Sequence, residues 1–297
     1  MTDTSDLRVF VTGGTGFVGS HVVDRLVEAG HSPLCLIRET SDTSHLDELG
    51  VDTYTGSLGA VEDLRPALEQ ADAVVHIAGI VKAREPEDFY DINGEATVAL
   101  AELAAEVGGF RRFVYLSSIA AQGPGFRPDV EAREPAPVSH YGRSKLLGEE
   151  GVQEVAGELP VSIFRPPPVY GPRDHEMFKI FQGAARGVVP VYGDGESVTS
   201  VVHVFDLADA VVRSLEREHP SGAVFPIDDG NHYSWNELAK HFGRPFGGEP
   251  FTVGVPPFLF SVGARLNEWR GTLTGRAVIF TRDKLAELEQ DAWVCGH

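Results

Sequence analysis

Tyr141 and Lys145 stand four residues apart in the segment Tyr-Gly-Arg-Ser-Lys, and this pair is the strongest candidate for chemistry in the chain. In a helix, residues at this separation share one face, so the phenol and the ammonium would lie side by side. A free tyrosine titrates near ~10 and is a poor base at neutral pH. We expect Lys145 to favour the phenolate and to lower the pKa of Tyr141 towards neutrality. Such a pair can take a proton from a secondary alcohol or return it to a ketone.

A proton-transfer pair of this kind needs a further polar group that polarises the substrate oxygen. Ser117 and Ser118 directly follow residues 112–116, which are predicted to form a buried strand. The end of that strand would present a hydroxyl to Tyr141. The residues themselves leave the choice between the two serines open.

Near the start of the chain, glycines recur every three residues between a predicted strand and a predicted helix. Residues 9–12 are apolar or β-branched, and Gly13, Gly16 and Gly19 follow them. Strand, glycine turn and helix in this order are typical of a dinucleotide site, in which the positive helix end holds a pyrophosphate. The first glycine would allow the tight turn, the second a close approach of the phosphates, and the third close helix packing. The pattern therefore predicts a nicotinamide dinucleotide, which would exchange hydride with the substrate beside Tyr141.

The residues after the second predicted strand, 33–37, distinguish between the two nicotinamide cofactors. An acidic side chain there binds the ribose 2′-hydroxyl of NAD, whereas an arginine accommodates the 2′-phosphate of NADP. The strand ends in Arg38, and Ser41 follows it. A guanidinium suits a phosphate, so we predict NADP with NAD as the alternative. An arginine paired with Glu39 in solvent is the competing interpretation.

The elements around these motifs alternate between strand and helix, which predicts an α/β fold with a doubly wound parallel Rossmann sheet. The predicted strands are 9–12, 33–37, 51–55, 73–79, 112–116 and 161–165, and the longest predicted helices are 86–107 and 141–155. Beyond Pro166 the alternation weakens, and residues 201–204 with the helix 206–215 are predicted to return to the sheet. We expect a cofactor-binding domain over 1–165 with the return segment at about 201–225, and a smaller substrate-binding domain from 166–200 and 226–297.

The segment Thr-Gly-Gly-Thr-Gly-Phe-Val-Gly at 12–19, together with Tyr-x-x-x-Lys, resembles the extended short-chain dehydrogenase/reductase family, the NAD-dependent epimerase/dehydratase family. Residues 37–41 and 56–58 resemble its dihydroflavonol-reductase-like branch, in which the equivalent of Arg38 holds the NADP phosphate. The resemblance implies Ser118, Tyr141 and Lys145 as catalytic residues. The cofactor-binding residues that it implies are Gly13, Thr15, Gly16, Phe17, Val18, Gly19, Arg38, Ser41, Ser57, Leu58, Ala78, Gly79, Tyr141, Lys145, Pro166 and Val169. Ser57 stands where the family usually carries an aspartate that contacts adenine.

The resemblance also bears on the substrate. Family members that act on nucleotide sugars usually carry an asparagine where Pro168 stands and a phosphate-binding arginine where Thr199 stands. We therefore predict an NADP(H)-dependent oxidoreductase for a secondary alcohol or ketone. The alternative is a nucleotide-sugar epimerase or dehydratase that retains its cofactor. A non-catalytic protein that senses NADP is a third possibility.

The composition excludes several other classes of protein. A net charge of −19 over 297 residues argues against a nucleic-acid partner. With two cysteines, Cys35 and Cys295, a disulfide framework is not expected, and a cytoplasmic location is. No metal site, export signal or membrane span is predicted. We expect a small-molecule substrate and leave open a homodimer.

Overall fold

The computed structural model describes residues 6–125, 134–274, 278 and 281–296 of the chain. Its strands are β1 Arg8–Thr12, β2 Ser32–Ile37, β3 Asp52–Thr55, β4 Ala73–His76, β5 Phe113–Leu116, β6 Val161–Arg165, β7 Val169–Tyr170, β8 Val188–Tyr192, β9 Val198–Thr199, β10 Val202–His203, β11 Ala223–Pro226, β12 Tyr233–Ser234, β13 Phe251–Val255 and β14 Ala292–Trp293. Within the described residues, seven strands form one parallel sheet in the order β11-β6-β5-β4-β1-β2-β3. The strand order reverses beside β1, which is the Rossmann arrangement.

Helices cover both faces of this sheet. They are α1 Phe17–Glu28, α2 Ser44–Leu49, α3 Arg65–Leu68, α4 Pro86–Phe89, α5 Ala96–Val107, α6 Ile119–Gln122, α7 His140–Glu154, α8 Phe178–Ala185, α9 Val204–Glu216, α10 Trp235–Gly243, α11 Pro257–Thr274 and α12 Arg282–Leu288. Two 3₁₀ segments, Leu58–Leu64 and Arg244–Phe246, and a π-helical turn, Tyr90–Glu95, join them. None of the described helices is long and apolar enough to cross a bilayer.

The inner strands of the sheet, which include β2 and β6, are buried because they are apolar on both faces, as is typical of parallel sheets. The edge strand β3 is polar and mostly exposed. One core cluster packs α1 and α9 against one face through residues such as Val11, Val23 and Val211. A second packs α5 against the other face through residues such as Phe10 and Leu100. A third cluster, which includes Val191 and Phe242, lies among α8, β8 and α10.

All six strands predicted along the first 165 residues are present, and their bounds agree closely. The predicted helix 86–107 is helical throughout but contains the π-helical turn, which lies beside the candidate site. The prediction that residues 201–204 return to the main sheet is wrong, because β10 pairs with β7 in a separate two-stranded sheet. The returning strand is β11, which pairs with β6 at the sheet edge. Its four half-buried residues, one a proline, carry little strand signal. The division into two domains stays a prediction.

Candidate active site

In the glycine turn after β1, two glycines lie very close to neighbouring backbone atoms. Gly13 has φ +79°, and a Cβ atom there would lie 2.7 Å from the backbone nitrogen of Ala78. A Cβ atom on Gly19 would lie 2.0 Å from the carbonyl oxygen of Gly13. Neither position can carry a side chain without moving backbone, so the sequence brings α1 directly against the ends of β1 and β4.

The first turn of α1 fits the pyrophosphate of a dinucleotide. Gly16 is the N-cap residue with extended backbone, and no side chain among the described residues caps this helix. Thr15 and Gly16 are exposed, whereas Phe17 and Val18 are half-buried. The first N–H groups of the helix therefore keep their donors for an anion, and the helix dipole favours negative charge there. The glycine contacts leave the space that a phosphate needs.

Arg38 and Ser41 form a tight turn at the end of β2. The Ser41 hydroxyl accepts a hydrogen bond from the backbone N–H of Arg38 at 3.0 Å, and the Ser41 N–H donates to the Arg38 carbonyl at 2.9 Å. Arg38 is exposed. Within the described part of the chain its guanidinium has no ion-pair partner, so the predicted competing pair with Glu39 is not formed. The arginine is thus available at the rim of the cofactor site.

Ser57 and Leu58 lie beside this rim, after β3. The Ser57 hydroxyl accepts a hydrogen bond from the N–H of Gly59 at 3.1 Å and so caps the following 3₁₀ segment. Leu58 packs its side chain against the second core cluster. The hydroxyl of Ser57 can still donate one hydrogen bond, which leaves it capable of contacting an adenine.

A buried asparagine in the π-helical turn, Asn93, fixes the loop after β4 through hydrogen bonds. The Asn93 carboxamide bonds both the N–H and the carbonyl of Ile80, at 2.8 and 2.9 Å. Two residues before Ile80, the N–H of Ala78 donates a hydrogen bond to the Thr12 hydroxyl at 3.2 Å. A Cβ atom on the exposed Gly79 would lie 2.9 Å from the Asn93 side chain. The loop therefore presents bare backbone at 78–79, which suits contact with a ribose.

Tyr141 interacts with Ser118. The Ser118 side chain lies close enough to the Tyr141 hydroxyl to lower its pKa, and the Ser118 Oγ accepts a hydrogen bond from the N–H of Ala120 at 3.1 Å as the N-cap of α6. The Ser117 hydroxyl is buried and has no hydrogen-bond partner among the described residues. The tertiary structure thus distinguishes the two serines that the sequence left open.

The expectation that Tyr141 has a lowered pKa is wrong for this structure. Burial around the hydroxyl raises the pKa of Tyr141 to about 12, the interaction with Ser118 opposes this, and the negative charge of Glu287 adds to it. The phenol is therefore neutral at physiological pH. A neutral phenol is a proton donor, which is the form needed for reduction of a carbonyl group.

Lys145 lies one helical turn beyond Tyr141, beneath the site. Its Nζ donates to the carbonyl of Leu116 at 2.8 Å and lies 4.6 Å from the ring centroid of Tyr115. Burial lowers the pKa of Lys145 to about 7, and Glu149 acts in the opposite direction. The ammonium is thus close to its titration point at neutral pH, where it can gain or lose a proton readily.

Pro166 and Val169 complete the side of the site that follows β6. The Pro166 carbonyl accepts from the N–H of Ile119 at 2.9 Å, so this loop is fixed to the start of α6. Val169 belongs to β7, which pairs with Val202 of β10. Pro166 therefore lies beside the segment that carries Ser118, and Val169 is fixed by its strand partner.

A contribution that sequence reasoning missed comes from the last described helix, α12. The Asp283 carboxylate accepts from the N–H of His140, the first residue of α7, at 2.7 Å. Glu287 is buried and accepts from the hydroxyl of Ser139, the N-cap of α7, at 2.6 Å. Two carboxylates thus hold the start of the helix that carries Tyr141. More than 140 residues separate these partners, and no local pattern signals such a contact.

A cavity opens between Tyr141 and α12. Its wall combines apolar side chains and Lys82 from the segment after β4 with mostly polar side chains from the C-terminal segment. The residues that line it include Val81, Phe89, Tyr141, Thr281, Asp283 and Glu287. Since Tyr141 forms part of the wall, this cavity is the candidate substrate pocket.

A Rossmann sheet with an uncapped helix after a glycine turn, and a tyrosine that interacts with a serine at an adjoining strand end, is the architecture of a nicotinamide-dependent enzyme. The chain belongs to the NAD dependent epimerase/dehydratase family, whose model matches residues 9–227. Members related to it include reductases and epimerases.

Three known proteins illustrate the range. A ceramide reductase of Caulobacter vibrioides is 34% identical over 290 residues, which cover 96% of this chain and 85% of the relative. A UDP-glucose 4-epimerase of Streptomyces lividans is 30% identical over 271 residues, 81% of each chain. A solved UDP-glucose 4-epimerase of Thermotoga maritima, with UDP-glucose, is 27% identical with a TM-score of 0.72 and covers 83% of this chain and 85% of its own.

Proposed function

We propose that this enzyme is an NADP(H)-dependent reductase that converts a ketone to a secondary alcohol, and the reverse. The observation that carries the proposal is that Tyr141, which lines a pocket, interacts with the neighbouring side chain of Ser118. A substrate oxygen placed between these two hydroxyls would receive hydrogen bonds from both.

In this proposal the three catalytic residues have different roles. Ser118 orients the substrate carbonyl, and the neutral phenol of Tyr141 donates its proton to the oxygen as the carbonyl carbon is reduced. The bound nicotinamide supplies the hydride. Lys145 binds the cofactor ribose and, with a pKa of about 7, stabilises the negative charge that develops on Tyr141.

The preference for NADP is supported by the environment of Arg38. Its guanidinium is exposed at the end of β2 and carries no intramolecular ion pair within the described residues. The Ser41 hydroxyl belongs to the same turn, where it accepts the N–H of Arg38. A 2′-phosphate there would receive a charge-assisted hydrogen bond, whereas NAD offers no equivalent anion.

The substrate that we propose is a ketone with a large apolar part. Thr199 is buried, and its hydroxyl donates to the Ser200 carbonyl at 2.9 Å, so it does not reach into solvent for a diphosphate. The pocket wall includes the apolar side chains of Val81 and Phe89. The 34% identical relative is a ceramide reductase by name, which supports a long-chain lipid ketone as the substrate class. Both cysteines are buried and free, which suits a reducing cytoplasm.

The second candidate is a nucleotide-sugar epimerase, since several of the similar proteins are UDP-glucose 4-epimerases by name. The two functions differ in how the cofactor is used. An epimerase returns the hydride to its own substrate and retains the cofactor, whereas a reductase releases it after each turnover.

The experiment measures NADPH oxidation with a long-chain 3-keto lipid in detergent, and UDP binding by calorimetry. The reductase requires turnover at the expense of added NADPH and no measurable UDP binding. Micromolar UDP binding, together with a cofactor that survives gel filtration, would establish the epimerase instead.

A further inference from the structure

Helix α11 places an apolar stripe on its solvent side. Phe258, Leu259, Val262, Leu266 and Trp269 are 65%, 47%, 49%, 61% and 65% exposed. At ~100° per residue, these five side chains fall within an arc of roughly 100° on the helix. The opposite side faces the protein, where Ala264 is fully buried. The most apolar face of this helix is therefore the one that faces water.

Arginines border the stripe on its two sides. In helical projection, Arg265 and Arg270 lie just outside the two edges of the apolar arc, and both are exposed. The acid of this helix, Glu268, bonds the N–H and the guanidinium of Arg282 at 2.7 and 2.9 Å. The face is thus apolar with basic borders in a chain whose net charge is −19. Negatively charged groups at the surface of an apolar phase complement such a face.

Helix α11 is joined to the segment that lines the candidate substrate pocket. Arg282, which bonds Glu268 of α11, lies between Thr281 and Asp283, and both of these line the pocket beside Tyr141. In helical projection Glu268 lies about 130° from the centre of the stripe, so the stripe faces away from this junction. The stripe and the pocket therefore belong to neighbouring segments but not to the same face of α11.

We propose that α11 is an interfacial helix that docks this protein onto an anionic lipid bilayer. Phe258, Leu266 and Trp269 enter the boundary between headgroups and acyl chains, while Arg265 and Arg270 contact lipid phosphates. The helix lies in the plane of the membrane, as aromatic and arginine-bordered helices of this kind do. The proposal goes beyond the proposed reaction and does not require it, since it concerns the surface and not the chemistry.

The test is sedimentation of the purified full chain with vesicles of phosphatidylglycerol and phosphatidylcholine, and with vesicles of phosphatidylcholine alone. The wild-type protein is expected to bind the mixed vesicles more strongly, and added salt is expected to reduce the difference. Leu266→Glu should weaken binding by roughly tenfold or more, because a charge replaces an apolar side chain at the boundary. The matched control is Phe246→Glu, since Phe246 is 55% exposed but lies outside α11.

A second variant separates the electrostatic contribution. Arg265→Glu combined with Arg270→Glu should weaken binding to the mixed vesicles and leave binding to neutral vesicles unchanged. Circular dichroism of each variant verifies its fold. Absence of wild-type binding at millimolar lipid would overturn the proposal. A dimer in sedimentation velocity that Leu266→Glu dissociates would also overturn it, because the stripe would then be covered by a second copy of the chain.

Discussion

The part of this enzyme that forms the main sheet (the sheet half) and the part that follows it (the C-terminal half) differ in which side chains they bury. Beneath the cofactor site, the buried polar groups form a continuous chain from β1 to the π-helical turn. The Thr12 hydroxyl bonds His76 at 2.6 Å, His76 bonds Thr97 at 2.9 Å, and Thr97 donates to the Asn93 carbonyl at 2.8 Å. In the C-terminal half, by contrast, Phe251 and Trp269 are 72% and 65% exposed.

This difference follows from what each half must do. A dinucleotide and a proton donor need fixed positions, and a satisfied buried network supplies rigidity. The apolar substrate that we propose would need an accessible apolar surface, which a sealed core cannot offer. The halves meet where Asp283 and Glu287 of α12 hold the start of α7. Three variants test the loss of single contacts in the two halves, in order of decreasing expected effect, and a fourth tests the buried ammonium through the pH dependence of stability.

Tyr141→Phe should lower turnover by ~10²–10⁴-fold, because it removes the proton donor from the rigid half. Binding of NADPH should be retained, since the glycine turn and Arg38 are untouched. Steady-state kinetics and fluorescence titration measure the two quantities. Adding Ser118→Ala to the variant should cost little more, because residues that act together give non-additive losses. Near-normal turnover of Tyr141→Phe would mean that another group carries the proton.

Arg38→Ala should weaken NADPH binding by ~1.5–3 kcal/mol and leave NADH binding unchanged, because one charge-assisted contact to the 2′-phosphate is lost. The control is Arg217→Ala, which removes another exposed arginine just after α9. Calorimetric titration of both cofactors provides the measurement. An equal loss of affinity for NADPH and NADH would show that Arg38 does not read the phosphate.

Asp283→Ala should lower the free energy of unfolding by about 0.5–2 kcal/mol, because the N–H of His140 loses its acceptor at the start of α7. It should also lower turnover, though less than Tyr141→Phe does. Asp283→Asn should preserve most of both, since an amide oxygen still accepts a hydrogen bond. Urea unfolding compared with the exposed Asp291→Ala isolates the effect. If Asp283→Ala and Asp291→Ala behave alike, the two halves are not coupled through this contact.

Lys145→Met tests the lowered pKa of the buried Lys145 through the pH dependence of the free energy of unfolding. The folded-state pKa of Lys145 is about 7, against an ordinary value of 10.5. Below pH 7 both states carry the proton and the folded wild type bears the full cost of the buried charge. Between about pH 7 and 10.5 only the unfolded wild type binds it, so wild-type stability gains at most about 1.4 kcal/mol per pH unit. The stability of Lys145→Met relative to wild type should therefore be highest below pH 7 and decline towards pH 10. A constant difference in urea unfolding would contradict the lowered pKa.

Much of the cofactor half was predictable from the sequence because its determinants are local. The spacing of Gly13, Gly16 and Gly19 is a requirement of one turn, and the four-residue step from Tyr141 to Lys145 is a property of one helix. Continuous apolar segments identified five of the strands, since an inner parallel strand is buried on both faces, whereas the edge strand β3 is polar and mostly exposed. These patterns defined the α/β fold, the family and the expectation of an enzyme.

Features that depend on residues far apart in the sequence were decided only by the tertiary structure. It paired Ser118 and not Ser117 with Tyr141, placed β11 instead of β10 in the sheet, and brought Asp283 and Glu287 to the start of α7. It also reversed the expected direction of the Tyr141 pKa. Burial depends on every element packed around a group, whereas sequence spacing reports only the nearest turn, and desolvation of the phenol outweighs the interaction with Ser118.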